Sequence, residues 1–68
     1  MIIQPFSYKV ETDEYFIGFN DIVKISRYLK DDSKKVDVHL KEIEFCEIEN
    51  QDDIARFEIW LTKNKEHF

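Results

Sequence analysis

Apolar and polar positions alternate along the first half of the chain, and the pattern turns helical near its end. Phe6, Tyr8 and Val10 alternate with Ser7 and Lys9, the period of two expected of a half-buried strand. Pro5 stands just before them, where a strand start tolerates it. Glu11, Thr12, Asp13 and Glu14 are polar and predict a turn. Tyr15, Ile17 and Phe19 then alternate again, with Phe16 and Gly18 on the other face, so the two strands read as a hairpin. Gly18 falls mid-strand, where glycine marks a bulge, a bend or a close backbone approach.

The next stretch admits two readings. Asn20 and Asp21 can turn the chain into a strand with Val23, Ile25 and Leu29 inward. Alternatively Asn20 caps a second helix, with Ile22, Ile25 and Leu29 as its stripe. β-Branched residues lower helix propensity, and Asp31 and Asp32 would sit unfavourably at a helix C-terminus. The strand is therefore preferred.

Asp31, Asp32, Ser33, Lys34 and Lys35 read as a polar connection, after which Val36, Val38 and Leu40 alternate cleanly with Asp37, His39 and Lys41. Ile43 and Phe45 lie on the opposite parity, and Cys46 and Ile48 return to the first. Either Lys41 and Glu42 turn a hairpin, or one long strand bends and exchanges its buried face. The end is helical. Asn50 is the expected N-cap, Asp52 and Asp53 suit the first turn, and Lys63 and Lys65 suit the last. Ile54, Phe57 and Leu61 form the apolar stripe with Trp60 beside it. Ala55 and Ile59 add a second apolar line at i, i+4, wide enough to serve a second subunit.

Composition narrows what these elements can do. The chain has 68 residues, with one Gly, one Pro and one Cys. That is a single domain, 1–68, with too little chain for two lobes around a cleft. One glycine cannot build a glycine-rich phosphate loop, and one cysteine cannot build a disulfide framework. Six Phe, three Tyr and one Trp argue for a folded core. So small a core often leans on a partner, so self-association as a homodimer is expected. The N-terminus lacks the basic start and apolar run of a signal peptide, no segment is long and apolar enough for a membrane span, and a lone cysteine suits a reducing compartment. A cytoplasmic location, away from membranes, is expected.

The net charge of -5 is concentrated. Residues 42–58 carry seven acids against Arg56 alone, and such a face repels phosphate, so direct nucleic-acid binding is disfavoured.

Few residues carry chemistry. His39 shares its strand face with Asp37 and Lys41, for which an ion-pair row is the simpler account. Cys46 with His39 and His67 lacks the paired spacings of a zinc site, and Cys46 reads as a small buried hydrophobe. No metal, cofactor or catalytic residue is expected. Tyr8, Tyr15, Phe16 and Phe19 could stack bases only beside a basic groove, and Lys9 and Lys24 make a thin one, so core packing accounts for them. Glu42, Glu44, Glu47, Glu49, Asp52 and Asp53 form an acidic face. Acids two apart on a strand are about 6.7 Å apart and can imitate a phosphate track. Small acidic proteins of phages and mobile elements inhibit host or defence enzymes this way. Trp60, at the edge of the helical stripe, is an anchor for a partner.

The order of parts resembles the small flagellar FlbD-like proteins over about three quarters of the chain. Tyr15 to Asn20, Ile22-Val23-Lys24-Ile25, Val36 to Leu40, Ile43 to Ile48 and Asp53 to Leu61 carry it. Where that family has a glycine turn, Lys41 and Glu42 stand here. The resemblance implies a non-enzymatic regulatory or assembly module with no catalytic residues.

The sequence thus predicts an α+β domain. A strongly curved, barrel-like antiparallel sheet of four to five strands precedes one C-terminal helix. The expected function is protein–protein interaction, regulatory in kind, through Glu42, Glu44, Glu47, Glu49, Asp52, Asp53, Ala55, Ile59 and Trp60. The alternative is a nucleic-acid-mimicking inhibitor of a basic site.

Overall fold

The computed structural model describes residues 3–42 and 45–65. Strands β1 (Phe6–Val10) and β2 (Asp13–Ile17) form one antiparallel hairpin; β3 (Ile22–Lys30), β4 (Ser33–Leu40) and β5 (Cys46–Ile48) form a second sheet in that order. Helix α1 (Gln51–Lys65) follows. The class is α+β as expected, but the two sheets do not close into a barrel.

The β1–β2 and β3–β4 hairpins turn on two residues each, shorter than the sequence suggests. Asp31 and Asp32 both have positive φ, 53° and 64°, as a type I′ turn demands. Asp tolerates that region better than most residues. Ser33, Lys34 and Lys35 therefore belong to β4 rather than to a connection. In the first hairpin Glu11 alone has positive φ, 58°, and Val10 pairs with Asp13.

Residues 20–29 are not a second helix. Phe19–Asp21 makes one 3-10 turn, and β3 follows directly. Gly18 lies just after β2, not within it. A Cβ there would stand 2.8 Å from Asp21 Oδ2, so the close approach that a glycine permits is what the position uses. The expected inward set of β3 is corrected. A bulge between Ile22 and Lys24 takes Val23 out of register, leaving it 65% exposed. Leu29 shares the inner face with Ile25 but sits near the hairpin tip, opposite Lys34, and is 72% exposed. Val10, likewise expected inward, is exposed next to its turn.

The hairpin reading of the 41–42 region holds, since β5 returns antiparallel to β4 with Val36 opposite Ile48 and Val38 opposite Cys46. Ile43 and Glu44 lie outside the described residues. Phe6, Tyr8, Ile17, Val36, Val38, Ile48, Ile54, Phe57 and Leu61 form the core. The helix stripe is the predicted one, continued by Asn64, which is buried and donates from Nδ2 to the Trp60 carbonyl at 2.8 Å. Asn50 caps the helix as expected: its Oδ1 accepts from the backbone N–H of Asp52 at 2.9 Å and of Asp53 at 3.2 Å.

The hairpin is held to the helix by aromatic packing. Phe6 lies 5.2 Å from Phe57 and 5.7 Å from Trp60, ring centre to ring centre. Arg56 sits 5.0 Å over the Phe6 ring and donates to the Ser7 carbonyl at 3.1 Å. On the other flank Arg27 of β3 makes a two-pronged pair with Glu58, at 2.7 and 3.0 Å. Gln51 Nε2 donates to the Lys34 carbonyl at 3.0 Å.

Candidate acidic cleft

Three of the six sequence-predicted acids, Glu47, Glu49 and Asp53, converge from two parts of the chain. Glu47 on β5 and Glu49 just after it lie two residues apart, so their side chains share the outer face of the second sheet. Asp37 stands directly opposite Glu47 on β4. Asp53 comes from the first turn of α1, placed there by the Asn50 cap. Glu47, Glu49 and Asp53, but not Asp37, meet at a cleft of about 630 Å³ between β1 and β5. Glu47, Glu49, Asp53 and Glu11 are among its lining, with Lys9 as the one cation there. Tyr8, Val10, Tyr15, Phe45 and Cys46 supply its apolar walls.

Glu11 was missed by sequence reasoning. It lies in the first hairpin turn, and only the fold brings that turn beside β5. Its polar, acidic character was visible, but its neighbours were not. Of the other predicted residues, Glu42 is exposed at the bend after β4 and Asp52 is exposed in the first helical turn, both outside the cleft lining. Glu44 lies outside the described residues.

The electrostatics follow from crowding. The hydrogen bond shared by Glu47 and Glu49 raises the Glu47 carboxyl above its ordinary value, with partial desolvation and the charges of Glu49 and Asp37 adding to it. The same bond, with Lys35, lowers Glu49; Lys35 Nζ lies 3.9 Å from Glu49 Oε1. Asp53 is paired with Arg56 at 2.7 Å. In the cleft lining, burial pushes the Tyr8 phenol well up, and its neighbour Cys46 pushes it further. Tyr8 also stacks on Tyr15, with ring centres 5.4 Å apart.

Cys46 is half-buried and shares a face with Val38, whereas His39 is on the opposite parity with its ring 5.8 Å from Phe45. The two therefore point to opposite sides of the sheet. Among the described residues no helix is long and apolar enough to cross a membrane.

The apolar line Ala55 and Ile59 is on the other flank of the helix. Ile59 is 68% exposed, and Ala55 joins Leu29, Val36 and Ile54 in a groove of about 650 Å³ between α1 and the β3–β4 hairpin. Trp60 is engaged within the chain: it packs on Phe6, Phe19 and Phe57, and its indole N–H donates to the Gln4 carbonyl at 2.9 Å.

No protein family, no curated protein and no solved structure matches this chain.

Proposed function

We propose that this protein is a small non-enzymatic interaction module that binds a basic segment of another protein in the cleft between β1 and β5. The observation that carries this reading is the convergence of Glu11, Glu47, Glu49 and Asp53 around apolar walls. Acids on a rim steer a cationic partner, and exposed aromatic surface gives the complex its desolvated contact. The resemblance of the sequence to FlbD-like proteins implies the same class, a regulatory or assembly part, which we place in the cytoplasm. The test is affinity capture from the native host with wild type and with Glu47→Lys/Glu49→Lys. A partner should be retained by wild type alone and should elute as salt rises. Capture by both proteins, or salt-insensitive capture, overturns the reading.

Mimicry of nucleic acid is a second reading, supported by the shared face of Asp37, Glu47 and Glu49. It predicts that duplex DNA competes with this protein for its partner, which a simple basic-segment binder does not require. Self-association is assigned to the separate apolar flank. Ile59→Lys should shift sedimentation from dimer to monomer, and a monomer for both proteins removes the dimer from the proposal.

A further inference from the structure

The acidic cleft is also a break between two sheets. β1 has β2 as its partner and β5 has β4, and residues of both strands line the space between them. Among the described residues no ladder joins β1 to β5.

The phase of the backbone follows from the turns. Ladder bonds in an antiparallel pair engage alternate residues, and a two-residue turn is closed by a bonded pair. With Val10 opposite Asp13, the residues facing β2 are Val10, Tyr8 and Phe6, so Ser7 and Lys9 present their backbone to the opposite edge. The Ser7 carbonyl confirms the phase, since Arg56 from the helix reaches it. Counting in the same way from Lys30 opposite Ser33, Asp37 faces β3, Val36 and Val38 face β5, and Glu47 presents its backbone outward. Lys9 and Glu47 thus offer unpaired edge groups to one cleft.

We propose that the cleft takes a single extended peptide strand, inserted between β1 and β5, which joins the two sheets into one. This deepens the interaction reading and rests on it. The side chains of the two faces choose the occupant. Toward the outer face the strand meets Glu47 and Glu49 on the β5 side and Lys9 on the β1 side, so its cations belong at the β5 side; toward the inner face it meets Tyr8, Val10, Tyr15 and Cys46. Strand side chains alternate between faces, so the fitting segment alternates Lys or Arg with apolar residues.

The experiment uses the full chain and a synthetic octapeptide alternating lysine and valine, followed by fluorescence anisotropy. A second peptide of the same sequence has its valine amides N-methylated, which keeps charge and removes edge donors. The parent peptide should bind, and N-methylation should weaken it at least tenfold. Amide exchange at Lys9 and Glu47 should slow on binding. Equal binding of both peptides overturns strand insertion while leaving the electrostatic reading standing. No binding of the parent also overturns insertion, and the capture experiment with Glu47→Lys/Glu49→Lys then decides the wider reading independently. Equal affinity of the parent peptide for wild type and that variant overturns the acid-rimmed reading itself.

Discussion

Single residues set the cost of several turns in this chain. Asp31 and Asp32 both occupy the left-handed region, with two like charges side by side. Asn-Gly is the pair that a type I′ turn prefers. Asp31→Asn/Asp32→Gly should therefore stabilise the fold by about 1 kcal/mol, seen as a rise of roughly 4–8 °C in the thermal midpoint. Tyr8 makes the fold sensitive to alkali. Its raised pKa means that the folded chain keeps a proton that the unfolded chain releases. The stability from this group is complete below about pH 10, the ordinary tyrosine value, and is lost as pH rises above it. Denaturant midpoints measured from about pH 9 to pH 11 should fall for wild type and fall less for Tyr8→Phe. Glu47 works in the acid range. With its carboxyl raised above the ordinary 4.5, it takes up a proton at a higher pH than a free glutamate does. Affinity for a cationic peptide should decline as pH is lowered toward that value, and Glu47→Gln should bind more weakly than wild type at neutral pH.

At the scale of elements, periodicity is a good guide wherever one face of a strand or helix is covered. The middle of β4 and the stripe of α1 are such stretches, and Val36, Val38, Ile54, Phe57 and Leu61 are buried as their spacing requires. Asn50 was legible because a cap has a fixed offset from the stripe it opens. Its replacement by Ala should cost about 1 kcal/mol in urea melts. Periodicity failed where a strand outruns its cover. Val23 and Leu29 keep strand character in sequence, but a bulge displaces one and the hairpin tip carries the other away from the helix. Asn64 was missed for the converse reason: a polar residue continues the line of Phe57 and Leu61 and is buried there by donating to the Trp60 carbonyl. The short 3-10 turn at Phe19–Asp21 leaves no periodic trace at all.

For the molecule as a whole, the acidic bias of residues 42–58 pointed toward part of the candidate site, since Glu47, Glu49 and Asp53 line the cleft. The opposite wall was not legible. Glu11, Val10 and Tyr15 reach it only because Phe6 docks the first hairpin on Phe57 and Trp60. A small domain depends heavily on such docking. Its total stability is roughly 3–10 kcal/mol at about 0.05–0.15 kcal/mol per residue. Truncating Phe57 to Ala should remove about 3–5 kcal/mol of that, and loss of the cooperative melt is the expected outcome. The same docking site holds the chain's single tryptophan. Its indole is wedged among Phe6, Phe19 and Phe57 and tied to Gln4, so its emission wavelength is an intrinsic optical gauge of whether the first hairpin is seated. A red shift that precedes loss of the helical circular dichroism signal would show the hairpin lifting off as a unit. Coincident changes would show the hairpin and helix melting together.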